Sequence, residues 1–72
     1  MIKGNIDLKE SLVFANKCFK NKNFEKAEKL YKKILKKFPN NFDANYFLAS
    51  IKVQNNNYLD SKIYMEKALS VN

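Results

Sequence analysis

Residues Asn23 to Asn41 read NFEKAEKLYKKILKKFPNN, and the fold turns on this stretch. Its apolar residues Phe24, Ala27, Leu30, Tyr31, Ile34, Leu35 and Phe38 recur at three- and four-residue steps. That spacing lines one side of an α-helix, and lysines fill most of the other side. Asn23 stands at the N-cap and Pro39 cannot continue the helix, so both ends are marked. Glu25–Lys29 and Glu28–Lys32 are i,i+4 pairs in the favourable order. Lys32, Lys33, Lys36 and Lys37 crowd the last turns, where the helix dipole favours cations. One helix with a single apolar side does not stand alone in water; it needs a second helix against that side.

The partner lies just before it. Asp7-Leu8-Lys9-Glu10 has the form of a capping box, and Leu8, Leu12, Phe14, Ala15, Cys18 and Phe19 carry helical spacing to about Asn21. The polar link Lys20-Asn21-Lys22-Asn23 is short, which makes the two helices antiparallel neighbours. After Phe38-Pro39-Asn40-Asn41 the pattern begins again. A third helix is predicted from about Phe42 to Gln54, with Ala44, Phe47, Leu48, Ile51 and Val53 on its apolar side and Tyr46 beside them. Asn55-Asn56-Asn57 is a second tight link. A fourth helix, Tyr58 to about Val71, is predicted to turn Tyr58, Ser61, Ile63 or Tyr64, Met65, Ala68 and Leu69 inward. Residues 1–6 read as a loose lead-in. The class is all-α.

Slid along itself until Phe14 falls on Leu48, the chain matches: Ala15 falls on Ala49, Phe24 on Tyr58, Ala27 on Ser61, Tyr31 on Met65 and Leu35 on Leu69. A self-match at a period of about 34 residues marks a helical-hairpin array. Residues 8–41 resemble one complete tetratricopeptide repeat, with Phe14-Ala15 as its large-then-small pair, Phe24 opening the second helix, Ala27 at the helix contact, Tyr31 one turn on and Pro39 closing it. Residues 42–72 resemble a second copy that lacks its closing proline. Ser11, Cys18, Asn45 and Lys52 stand where an aromatic is often found, and Ser61 and Met65 replace a small Ala and an aromatic. These departures imply looser packing in the second copy. The resemblance implies one domain over residues 1–72, two tandem antiparallel hairpins stacked as a short right-handed α-solenoid. Small Ala15 and Ala49 would let helices approach while Phe14, Leu48, Phe24 and Tyr58 fill the gaps beside them.

Composition excludes much chemistry. The 72 residues contain no histidine, one glycine and one cysteine. His-based catalysis, His metal sites, Gly-rich phosphate loops and internal disulfides are therefore absent. Cys18 reads as a buried structural thiol. No enzyme activity, cofactor, metal or small-molecule substrate is expected. No run approaches the length of a membrane span, and no secretory-type apolar run opens the sequence, so cytoplasmic residence is expected. Residues 1–38 hold eleven Lys against Asp7, Glu10, Glu25 and Glu28, a net +7, whereas residues 39–72 hold three Lys against three acids, a net of zero. Such a basic half can attract nucleic acid or acidic partners, through Lys26, Lys29, Lys32, Lys33, Lys36 and Lys37. Without Arg or interleaved aromatics, nucleic-acid binding is the weaker reading.

What remains is a surface for protein partners. The resemblance places a concave groove along the first helix of each repeat, with Lys9, Leu12, Val13, Asn16, Phe19 and Lys20 from one and Asp43, Tyr46, Phe47, Ser50, Val53 and Gln54 from the other. Leu12 and Phe47 stand where the family's carboxylate clamp needs Lys and Asn, so that clamp is rejected. The groove is apolar, and either it receives a peptide or helix, or its side chains line the core or lie under a second copy. Two repeats are fewer than the three usually required. The open side of the last hairpin, with Ile51, Ile63, Tyr64 and Met65 as candidates, would be covered in a homodimer, in a longer array or by a partner. Of these, the dimer is expected. The chain is thus read as a non-enzymatic protein–protein interaction scaffold; alternatively it is a basic-surface binder or the repeat segment of a larger enzyme.

Overall fold

The computed structural model describes residues 7–70, which form four α-helices with no strand among them. They are α1 (Leu8–Lys20), α2 (Phe24–Lys37), α3 (Phe42–Gln54) and α4 (Tyr58–Ser70). The lead-in at residues 1–6 and the expected helix end at Val71 lie outside the described residues.

Each helix opens on an Asx cap. Asp7 Oδ1 accepts from the Glu10 amide at 3.3 Å, Asn23 Oδ1 from Lys26 at 3.4 Å, Asn41 Oδ1 from Ala44 at 2.8 Å and Asn57 Oδ1 from Asp60 at 3.3 Å. A cap of this kind contributes about 1 kcal/mol to its helix. The two intra-hairpin links are the same structure at equivalent places in the two repeats. In the first, Asn21, Lys22 and Asn23 donate their N–H groups to the carbonyls of Lys17, Phe19 and Cys18. In the second, Asn55, Asn56 and Asn57 donate to Ile51, Val53 and Lys52. The middle residue of each is left-handed, Lys22 at φ 64° and Asn56 at φ 62°. Asn tolerates that region; a lysine, with its unbranched but full-length side chain on Cβ, pays more for it.

α1 packs on α2, α3 on α4, and α2 joins the hairpins by packing on α3, which also touches α1. This central position explains the composition of α3. α2 is sharply two-sided, but α3 has neighbours on several sides and is apolar nearly all round. Ile51 is therefore completely buried in the core with Ala15, Tyr31, Ile34 and Leu48, and not on the open face expected of it. The second hairpin is also not the looser one: Ala44, Ala49, Ser61 and Ala68 are buried, and these small residues let α3 and α4 approach closely. On α4 the inward residues are Ser61 and Ala68, with Tyr64 packed against the core. Of the alternatives Ile63 or Tyr64 it is Tyr64 that turns inward and Ile63 that is exposed, whereas Tyr58 and Leu69, expected inside, are exposed because no further helix lies against them among the described residues. Phe14 is exposed for the same reason at the other end, where Lys26 Nζ sits 5.3 Å over its ring.

Two polar devices fix the joint between hairpins. Asn45, fully buried, donates through Nδ2 to the carbonyls of Pro39 (3.2 Å) and Asn41 (3.0 Å), tying down the turn between α2 and α3. Glu28 on α2 meets Lys52 on α3 at 2.8 Å, and Lys32 at 3.1 Å. The first contact is largely shielded, with side-chain exposures of 12% for Lys52 and 20% for Glu28. The hydrogen bond from Lys52 holds the Glu28 carboxyl below its ordinary 4.5, against the opposing effect of burial. The same bond raises Lys52 above its ordinary 10.5. Glu28's contribution to stability is complete above pH 4.5 and is lost as pH falls through the lowered folded value. Lys52's is complete below pH 10.5 and is lost as pH rises through the raised one.

Two outcomes are expected in urea denaturation. Lys22→Asn, which copies the second link into the first, is expected to raise stability by about 0.5–1 kcal/mol. Glu28→Gln is expected to lower it by about 1–3 kcal/mol at neutral pH, because Lys52 is left shielded without its counter-charge. The same variant should lose less stability than the parent as pH falls from 4.5 through the lowered Glu28 value.

Candidate binding groove

The outer side of α1 and the first half of α3 enclose a groove of about 490 Å³ lined by Val13, Asn16, Lys17, Phe19, Lys20 and Phe47. The four-residue and three-residue steps from Val13 through Asn16, Lys17 and Lys20 put these side chains on one face of α1. Its floor is aromatic. Phe47 meets Phe19 edge-on at 5.0 Å, lies parallel to Tyr31 at 5.9 Å and meets Tyr46 edge-on at 5.3 Å. Phe19 continues to Phe24 at 5.4 Å, and Tyr46 stacks on Phe42 at 5.7 Å. The rings thus run unbroken from the start of α2, across α1, to the start of α3.

Tyr31 is completely buried beneath this floor, and its hydroxyl donates to Asn16 Oδ1. Burial pushes the phenol well above its ordinary value, with the Asp43 carboxylate and then Cys18 adding to the effect. Tyr31 therefore remains the donor at any ordinary pH, which fixes the Asn16 amide with its oxygen inward. The Asn16 Nδ2 group makes no hydrogen bond to the chain among the described residues and is left for the groove. Beside it stand the exposed ammonium groups of Lys17 and Lys20. Every polar group of the lining that is not already engaged is a hydrogen-bond donor, and no carboxylate is among the lining residues.

Of the residues expected to form the groove, Val13, Asn16, Phe19, Lys20 and Phe47 are brought together. Phe19 and Phe47 lie half-buried against the core rather than fully outward, and Leu12 packs into the same core. Lys9 and Val13 border a second depression of about 450 Å³ on α1, with Asp7, Glu10, Phe14 and Lys17. Tyr46 and Val53 are exposed on α3, and Gln54 ends it. Ser50 donates its hydroxyl to the Tyr46 carbonyl at 3.2 Å, and Asp43 is half-buried. Lys17 was missing from the expected set, although its three-residue step to Lys20 and four-residue step from Val13 place it there. On α2, Lys29, Lys32, Lys33 and Lys36 surround a shallow dent, and Lys32 is already paired with Glu28. Among the described residues, no helix is long and apolar enough to cross a membrane.

The model of a tetratricopeptide repeat family matches residues 19–70, from the end of α1 through α4. Neither the curated proteins nor the solved structures yield a match. With paired helices recurring in register and a family match over most of its length, the chain belongs to the tetratricopeptide repeat family, whose members generally serve as protein-interaction modules.

Proposed function

We propose that the chain is a protein–protein interaction scaffold whose two repeats, 8–41 and 42–72, hold an apolar segment with acidic flanks in the groove on α1 and α3, and that it self-associates through α4. The observation that carries the groove reading is the combination of an aromatic floor with a rim of donors only. Apolar side chains of a bound segment would cover Phe19 and Phe47, and its carboxylates would meet Lys17, Lys20 and the Asn16 amide. A basic segment would set like charges against each other. The single buried thiol, Cys18, suits a reducing compartment, and cytoplasmic residence belongs to the same reading.

Fluorescence anisotropy tests it with two labelled peptides of the same Leu/Phe pattern, one flanked by Glu and one by Lys. The Glu peptide should bind at least about tenfold more tightly at low salt, with the difference shrinking as salt rises. Lys17→Glu with Lys20→Glu should remove that preference while leaving the helical circular dichroism intact, because both side chains are exposed. Tyr31→Phe should cost about 1 kcal/mol of stability and lower affinity for the Glu peptide, because the Asn16 amide is then free to turn its oxygen outward. Equal binding of the two peptides by the parent chain would overturn the reading.

A further inference from the structure

The repeat register identifies a row on α4 that is built like a covered one. On α2, the row Phe24, Glu28, Tyr31 and Leu35 meets the rest of the fold: Tyr31 stacks on Phe47 at 5.9 Å, Glu28 takes Lys52 at 2.8 Å, and Phe24 and Leu35 pack against the core. One repeat further on, the same row is Tyr58, Lys62, Met65 and Leu69. Their four-three-four spacing keeps them on one face. Among the described residues that face is open at Tyr58 (63% exposed), Lys62 and Leu69 (64% exposed), with Met65 half-buried between them. The Tyr58 ring is already steadied, because its hydroxyl donates to Asn56 Oδ1 at 3.0 Å.

The charges on this row select the occupant. Where the internal joint has the acid Glu28, the α4 row has the exposed Lys62, so charge favours an occupant that brings a carboxylate. A copy stacked head-to-tail would bring α1, with uncharged Cys18 in the place of Lys52, and would set a strongly basic half against α4. A further repeat that kept lysine in that place would repel Lys62. A second α4 laid antiparallel across a two-fold axis fits instead. It sets Tyr58 against Leu69 of the second copy and lays the Lys62 stem over its Met65, with the ammonium beside its Glu66. The two-fold axis makes each of these contacts twice. It also joins the chains through their charge-neutral halves, since residues 39–72 sum to zero and residues 1–38 to +7.

We infer that α4 is the seat of an isologous homodimer, paired antiparallel through Tyr58, Lys62, Met65, Glu66 and Leu69. The inference rests on the reading of the chain as self-associating. Sedimentation equilibrium of the full chain across micromolar concentrations, in salt near physiological strength, should give a monomer–dimer equilibrium. Leu69→Asp should leave a helical monomer. Lys62→Glu and Glu66→Lys should each weaken the dimer about tenfold, and the two together should restore it, because the exchanged charges again face each other. A dimer untouched by Leu69→Asp, or single reversals that the double variant does not rescue, would overturn the antiparallel arrangement and leave self-association standing. A chain that stays monomeric throughout would overturn both.

Discussion

Within the packed joint between α2 and α3, two contacts are oriented, and they are made by neighbouring turns of one helix. The Tyr31 ring lies parallel to Phe47 at 5.9 Å, and the Glu28 carboxylate holds Lys52 at 2.8 Å. The first is apolar, oriented and fully buried on the Tyr31 side; the second is charged and largely shielded. They do different work. Stacked rings tolerate some sliding, because burial is non-directional. A shielded ion pair does not, since misplacing either charge leaves its partner unsolvated and alone. Together they set the register of one hairpin on the other. The groove inherits that register, because Phe47 is at once the upper side of the Tyr31 stack and the floor on which a ligand would rest.

Tyr31 extends the same constraint to the polar rim. Its hydroxyl is out of reach of solvent and needs an acceptor, and Asn16 supplies one. The amide is thereby oriented by the core, not by whatever enters the groove. A residue that could have offered either an oxygen or an N–H outward is reduced to a donor. Beside Lys17 and Lys20 this gives the surface a single polar character, and preorganisation of that kind lowers the ordering cost of binding. In the proposed groove, stability and selectivity would share one side chain.

Most of the architecture could be read in the residues because it is encoded locally. Asp7, Asn23, Asn41 and Asn57 each sit one residue before a helix, and their caps involve atoms only three residues away. The links repeat bond for bond from one hairpin to the next, since each is closed by its own backbone. What the sequence left open was tertiary. On α3, apolar residues on nearly every side give no periodic clue to which side meets α4, so Ile51 could be placed outside when it is central. On α4, Tyr58 and Leu69 look like Phe24 and Leu35, and an apolar residue announces that it favours cover without saying whether cover is present. In the groove, the α1 residues lay within reach of spacing alone. The bond between Tyr31 and Asn16 did not, because it joins residues on different helices.

The contrast between Glu28 and Lys62 shows how a repeat protein can be the same shape twice and still present different faces. Equivalent positions in two repeats have the same geometry, so a difference in side chain there changes what can dock while leaving the stack intact. Inside the chain, the acid at this position accepts the lysine of the next hairpin, and the array continues. On α4, a base at this position would oppose the same lysine in a repeat that kept it. An apolar row flanked by one base and one acid four residues apart, as Lys62 and Glu66 are, is instead complementary to itself reversed. On the proposed antiparallel pairing, a helix with that pattern would close a stack into a pair, because the two-fold axis sets the same face of each copy against the other.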